Sequence, residues 1–441
     1  MRFLLASFPV LLWGCSTSFS DDYERLEREL ERLPARTYPE ETGQDLRSEV
    51  SLEVLLDVVR RQNPELREAA GRARAGLHVV DREGALNDPQ LRARTEGVPL
   101  RQPSSLNRAE ENALGLEQSL PFPGNLGLRS EAALREAESL KEMARQRERE
   151  VVAKAKRAYY EYYSAQKELE THQEHIRLLE GFERISEVRF RTGAVSQQDI
   201  LKPQVEIVLL QTDVLSARQR IASAQAALNA LMGRSASSPL GTPKEPVPGA
   251  FSGDLTALTT EAAASHPEVL ASSLRAKATR AQLDLAWREA NLPDFSLGIE
   301  YMQVTGEPDG WSGMFGINLP WFTGKRRAES RRLEESLRAD EAALESTKFR
   351  VEADVRDAFE RADATAKALR LLRDELLPKT SQTVEVSRAG YERGQTTFLE
   401  LLDSERSRRD VRLRYYQTLS MHESALADLE RAVGRELRRR P

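Results

Sequence analysis

The chain has 441 residues, with 65 Lys and Arg against 70 Asp and Glu, a formal net charge of -5 and a mean hydropathy of -0.55. That near balance argues against a nucleic-acid partner and against broad electrostatic steering. Beyond the N-terminus no run of 18 apolar residues occurs, which excludes a transmembrane helix. Charged residues at 31% with aromatics at 6% point to a helical protein.

In chain order, Arg2 precedes an apolar run from Phe3 to Trp13. Its charge and length are those of a secretory signal. Leu12-Trp13-Gly14 then leads into Cys15, the single cysteine, and resembles a bacterial lipobox, with Trp13 departing from the usual small residue. The expectation is a signal peptide over 1–14 and a lipidated segment over 15–50 that is attached through Cys15. Ser16, in place of Asp after the cysteine, implies sorting to the outer membrane. With no second cysteine there is no disulfide, and stability must come from packing.

The chain then repeats itself. Phe190-Arg-Thr-Gly193 and Met232-Gly233-Arg234 are answered 201 residues later by Tyr391-Glu-Arg-Gly394 and Val433-Gly434-Arg435. Asn63-Pro64-Glu65-Leu66 is answered by His266-Pro267-Glu268-Val269, and Leu120-Pro121-Phe122 by Leu319-Pro320-Trp321. This predicts a first repeat over 51–234, a Pro-, Gly- and Ser-rich linker over 235–253, a second repeat over 254–435 and a tail over 436–441. Each repeat reads as helix, two short strands, very long helix, tight turn, helix. The helices are expected at about 51–86, 125–191, 197–232, 255–290, 325–391 and 397–434. Ala158, Tyr162, Ala165, Leu169, His172, Ile176 and Leu179 recur at steps of four and three, as do Tyr415, Leu419, His422, Leu426, Leu429 and Val433. These are coiled-coil seams, and a helix of such length spans roughly 100 Å.

Between the helices the period changes to two, marking hairpins over 88–121 and 294–321. Phe295, Leu297, Ile299 and Tyr301 alternate with Ser296, Gly298 and Glu300; Trp311, Phe315, Ile317 and Leu319 alternate with Ser312, Met314, Gly316 and Asn318. One apolar face opposite one polar face suits a half-buried sheet in a soluble domain, or a barrel wall between lipid and water. Four strands cannot close a barrel, since about eight are needed, and open edges are excluded from lipid, so the barrel reading demands several copies of the chain.

The order of elements, the duplication, the proline-flanked strand ends and the two glycine turns resemble the TolC family of outer-membrane efflux proteins, over about residues 48–435. The lipobox, Leu319-Pro320-Trp321-Phe322-Thr323-Gly324-Lys325-Arg326 and the segment from Tyr391 to Leu402 are most similar to its heavy-metal branch, which serves cobalt, zinc, cadmium or copper pumps. The resemblance implies a mainly α fold of long antiparallel helical hairpins forming an α-barrel. Four β-strands per chain would join in a homotrimer as one 12-stranded transmembrane β-barrel. It also implies a passive channel in the outer membrane, lipid-anchored and reaching into the periplasm, with a periplasmic adaptor and an inner-membrane RND-type pump as partners.

No phosphate loop, nucleophile elbow or zinc-protease helix occurs, so neither an enzyme nor a cofactor is expected. The turns Thr192, Gly193, Val195, Ser196 and Arg393, Gly394, Gln395, Thr396 are expected to cap helices, with Ser196 and Thr397 accepting from the next helix's amides. By resemblance these turns are also the adaptor-docking tips. Glu400 and Asp403 stand near one helical face and favour the helix dipole; by resemblance they form acidic rings that gate and select cations. Asp199 matches Glu400 in the repeat, whereas Lys202 replaces the second acid. His172-x-x-His175 has metal-ligand spacing, but His172 lies on a seam and reads as core; His78, His266 and His422 are isolated, and no metal site is expected. Two further readings are a periplasmic adaptor lipoprotein, which typically has one central hairpin, and a structural coiled-coil lipoprotein, which leaves the two strand pairs unexplained.

Overall fold

The computed structural model describes residues 20–33, 46–98, 109–193, 195–246, 253–321 and 323–437. Cys15, the expected signal peptide and Ala194 lie outside the described residues. The elements are α1 (Ser20–Glu31), α2 (Leu52–Gln62), α3 (Pro64–Gly84), β1 (Gln90–Glu96), β2 (Glu111–Leu120), α4 (Asn125–Arg191), α5 (Gln198–Leu231), α6 (Leu255–Ser265), α7 (Pro267–Asn291), β3 (Asp294–Val304), β4 (Gly310–Asn318), α8 (Thr323–Leu371), α9 (Leu377–Glu392) and α10 (Phe398–Val433). They fall into two compact units, one of residues 1–33, 72–141 and 271–344, the other of 34–71, 142–270 and 345–441. Each unit therefore draws on both halves of the sequence.

The first unit holds a four-stranded antiparallel sheet in the order β1-β2-β3-β4. Its register sets Leu91 beside Leu116, Leu116 beside Ile299, and Leu297 beside Phe315, so these large apolar residues, drawn from all four strands, share one face. That face is open: Leu91 is 71% and Trp311 70% exposed. Cross-strand aromatic pairs stiffen it, Phe295 with Phe315 at 6.1 Å and Tyr301 with Trp311 at 5.2 Å. The opposite face is laced by ion pairs, Arg92 with Glu117 at 2.6 Å and Arg94 with Glu96, Glu111 and Glu300 at 3.1, 2.9 and 3.5 Å.

This unit also contains α1, which sequence reading left unassigned. Its Leu26 and Leu30 are buried. On either side, Asp22 meets Arg135 at 3.4 Å, Arg25 meets Glu138 at 3.6 Å and Glu29 meets Lys141 at 2.8 Å, so α1 lies along the start of α4 in parallel register.

In the second unit no residue of the two expected seams is exposed. A core of Tyr159, Tyr162, Leu55, Val59, Leu228 and Met232 fills the space between α2, α4 and α5. The segment after α5 is pinned to it: Val50 pairs with Pro243, the Tyr159 hydroxyl touches the carbonyls of Val50 and Lys244, and Tyr162 donates to Gly241 O at 3.0 Å.

Three expected helices are interrupted. The helix drawn over 51–86 ends at Asn63 and restarts at Pro64, and that over 255–290 breaks at His266-Pro267. A residue before proline is pushed into extended backbone, here ψ 126° and 131°. Both residues then cap the helix that follows. Asn63 Oδ1 accepts from the Leu66 amide at 3.1 Å, and His266 Nδ1 accepts from the Glu268 amide at 3.3 Å while Nε2 faces Arg431 O. The long helix over 325–391 contains a π-helical turn, Leu372–Leu376, before α9. Pro378 has no amide to bond to the carbonyl of Asp374, which frees the turn to widen.

Candidate functional site

The two turns joining α4 to α5 and α9 to α10 lie in the second unit. At the first, Gly193 takes φ 73°, the left-handed geometry that ends a helix. Its amide returns to Phe190 O at 2.9 Å, and the Thr192 hydroxyl donates to Arg189 O at 2.8 Å. Ser196 does not cap as expected. Its amide and hydroxyl both donate to Asp199 Oδ2, at 3.0 and 3.1 Å, because a carboxylate three residues on is the stronger acceptor. Val195 is half-buried.

The second turn is more heavily tied. Gly394 has φ 71°, the amides of Gln395 and Thr396 share Gly390 O at 2.8 and 3.3 Å, and the Thr396 hydroxyl donates to Ser387 O at 3.1 Å. Arg393 Nε donates to Ala389 O at 3.1 Å. Thr397 forms a full capping box: the Glu400 amide donates to Thr397 Oγ1 at 3.3 Å, and the Thr397 amide to Glu400 Oε2 at 2.7 Å.

Glu400 thus has a structural duty, as does Asp199. Asp403 is exposed and lines a cleft of about 480 Å³ together with Gln198, Leu201, Lys202, Val205, Leu399, Leu402 and Arg406. Two cations therefore share the cleft with Asp403. Among the described residues no group of three or more His, Cys, Asp or Glu could hold a metal ion.

Three helices and the end of α9 converge just inside the turns. Leu179, Leu210, Phe398 and Leu402 are buried together, with Phe182 and Tyr391 edge-on to Phe398 at 5.8 and 5.9 Å and the Arg189 guanidinium 4.7 Å over Tyr391. Beyond them Glu206 of α5 receives Arg406 at 2.5 Å and Arg409 at 2.8 Å, both from α10. Burial pushes the Glu206 carboxyl up, but the two guanidiniums prevail and hold it below the usual range. Glu405, wholly buried, is held by Arg388 at 3.1 Å and Arg408 at 2.7 Å.

His172 is buried, as its seam position predicts, and so is His175, which lies off the seam. His172 Nε2 lies 3.5 Å from Glu168. His175 Nε2 has no hydrogen-bond partner, and burial, seconded by Arg409, pushes its pKa down to about 4. It is neutral at pH 7. Sequence reading missed the Glu206, Arg406 and Arg409 cluster.

The model of the family described as outer membrane efflux protein matches residues 55–234 and 258–435. The chain belongs to that family. It is 27% identical over 418 residues to outer membrane protein OprJ of Pseudomonas aeruginosa, covering 88% of this chain and 84% of that one. It is 25% identical over 260 residues to the cobalt-zinc-cadmium resistance protein CzcC of Cupriavidus metallidurans, covering 56% of this chain and 59% of CzcC. Among solved structures, the CusC channel superposes with a TM-score of 0.73 at 18% identity, over 91% of this chain and 96% of CusC. The fold is thus that of the TolC-like channels, and the protein is the outer-membrane component of a tripartite efflux pump. Family and fold are those of passive channel proteins.

Proposed function

We propose that three copies of this chain form a lipid-anchored conduit through which a partner pump expels metal cations. The sheet carries the reading. Its apolar face is open, its other face holds the ion pairs, and β1 and β4 each have one unpaired edge among the described strands. Three such sheets joined edge to edge give 12 strands, enough to close a wall with lipid outside and water within. Cys15 is the site of lipid attachment. An inner-membrane RND-type pump supplies the energy, and an adaptor docks on Thr192, Gly193, Val195 and Ser196 and on Arg393, Gly394, Gln395 and Thr396. The metal class is supported by the likeness to CzcC and by the exposed acids Glu400 and Asp403, with Asp199 contributing less because Lys202 stands where a second acid would be. Three-fold repetition would set six carboxylates around one axis.

Detergent-extracted protein is expected to run as a trimer and to conduct ions in a planar bilayer; a monomer without conductance refutes the channel. For the gate, Glu400→Gln keeps a residue able to complete the capping box while removing its charge. Combined with Asp403→Asn it is expected to abolish block by divalent cations. Unchanged block removes these residues from the gate. Fatty-acid labelling that persists in Cys15→Ser refutes the anchor.

A further inference from the structure

The duplicated chain passes from strand to long helix twice, and the two corners differ in charge. After β2 it runs through Pro121 and Gly124 into α4; after β4 it runs through Pro320 and Trp321 into α8. Residue by residue, Lys325, Arg326, Arg327 and Arg331 of the second corner answer Leu126, Gly127, Leu128 and Ala132 of the first. The corner itself therefore needs no cation. In α8 these charges are also out of place. Its first turn holds no acid, cations at a helix N-terminus oppose the macrodipole, and Arg327 and Arg331 repel one another four residues apart.

Nearby acids do not answer them. Arg326 turns inward and donates to Glu289 O at 2.6 Å, the Glu289 carboxylate takes Arg129 at 2.6 Å, and Glu329 takes two nitrogens of Arg332 at 2.6 and 3.0 Å. Lys325, Arg327 and Arg331 are exposed and have no carboxylate partner among the described residues. Three charges that the fold neither needs nor neutralises call for an anion from outside.

Their place in the first unit indicates which anion. From Trp311 to Leu319 the open apolar face runs about 26 Å along β4 and beyond it, or roughly 20 Å in height once the strand tilts by about 40°. Pro320 then ends the extended run, the Trp321 amide returns to Leu319 O at 2.9 Å, and Trp321 stands 78% exposed. An exposed indole at the end of such a face marks the edge of the hydrocarbon. The basic run begins four residues later, and helical side chains lean toward the helix N-terminus, so Arg327 and Arg331 reach back toward that edge.

We propose that Lys325, Arg327 and Arg331, beside Trp321, bind the phosphodiester of an anionic phospholipid of the phosphatidylglycerol class in the leaflet that meets the helices. The assignment rests on the reading that the open face of the sheet fronts lipid.

The test adds phosphatidylglycerol or phosphatidylcholine of the same acyl chains to full-length, detergent-extracted protein and counts bound lipid by native mass spectrometry. Each cation beside an anionic headgroup is worth about fivefold in affinity. Phosphatidylglycerol is expected to bind at least about tenfold more tightly than phosphatidylcholine. Lys325→Gln, Arg327→Gln and Arg331→Gln together are expected to abolish that preference and leave phosphatidylcholine binding unchanged. The same loss of charge further along α8, by Lys348→Gln, Arg356→Gln and Arg370→Gln, is expected to preserve it. Equal affinity for the two lipids in the unaltered protein overturns the proposal without any variant. So does a preference that survives the first triple variant or is lost in the second. Inorganic phosphate that displaces phosphatidylglycerol, where chloride at equal ionic strength does not, shows a free-anion site and likewise overturns it. A conducting trimer with no preference loses the lipid site and keeps the channel; a monomer with neither conductance nor preference rejects both.

Discussion

Replacing Glu206 by Ala tests how the hairpins are held near their turns. Glu206 is 6% exposed and accepts from two guanidiniums, Arg409 at 2.8 Å and Arg406 at 2.5 Å. Breaking a fully buried pair costs about 3 to 5 kcal/mol, because the remaining charge is left without a partner. Here the cost is smaller. The Arg406 side chain is 42% exposed and can turn to water, and Arg409, 16% exposed, keeps Asp410 at 2.9 Å. Discounting for both gives about 2 kcal/mol, which is roughly a 30-fold shift in a local opening equilibrium. The assay is hydrogen exchange resolved by peptide, since an opening confined to α5 and α10 escapes a global melt. Amides of α5 near 206 and of α10 near 406–410 are expected to exchange roughly 30-fold faster, while the β-sheet is unaffected. Adding Arg409→Met is expected to recover part of the loss, since it removes the stranded charge. Unchanged exchange in Glu206→Ala would refute the view that these ion pairs hold α5 to α10.

Three further outcomes follow from the same geometry. His175 stays neutral in the fold down to about pH 4 but titrates near 6.5 when unfolded, so stability is complete above pH 6.5 and drains as pH falls toward 4. The loss is about 3 kcal/mol at the lower end; His175→Gln is expected to flatten that part of the pH profile in thermal melts. Thr397→Ala removes one half of a capping box and is expected to cost about 1 kcal/mol, read as faster exchange in the first turn of α10, whereas Ser196→Ala, whose hydroxyl caps no amide, is expected to cost less. Asn63→Ala strips the buried cap of α3 and the bond to Leu231 O at 2.8 Å, and a drop of about 2 kcal/mol is expected in chemical denaturation, with Asn63→Asp recovering only the Leu66 contact.

Much of the fold was legible because it is periodic. The seams on α4 and α10 and the alternation in β3 and β4 are properties of neighbours in sequence, and the structure places them as their spacing requires. The prolines were visible too, as repeat markers at Pro64 and Pro267, but the helical period around them was allowed to run through the residue each one forces out of the α region. Helix α1 carried a signal in Asp21, Asp22, Leu26 and Leu30, yet twelve residues offer too few turns to stand out. The cluster of Glu206 with Arg406 and Arg409 could not be read, since partners some 200 residues apart leave no pattern in either segment. At the turns, spacing set Glu400 and Asp403 near one helical face and the family resemblance proposed their role, but their unequal duties became visible only once Thr397 was seen to hold Glu400.

The edges of β1 and β4 that no other described strand covers also bear on what becomes of a chain before it meets its copies. A lone subunit carries two strands ready to zip onto any passing β segment and a face of Leu, Ile, Phe and Trp that water does not tolerate. Such a species is a substrate for proteases and a seed for aggregates. Mutations that slow assembly should therefore register as a missing protein, with low abundance in the membrane, rather than as a leaky pore.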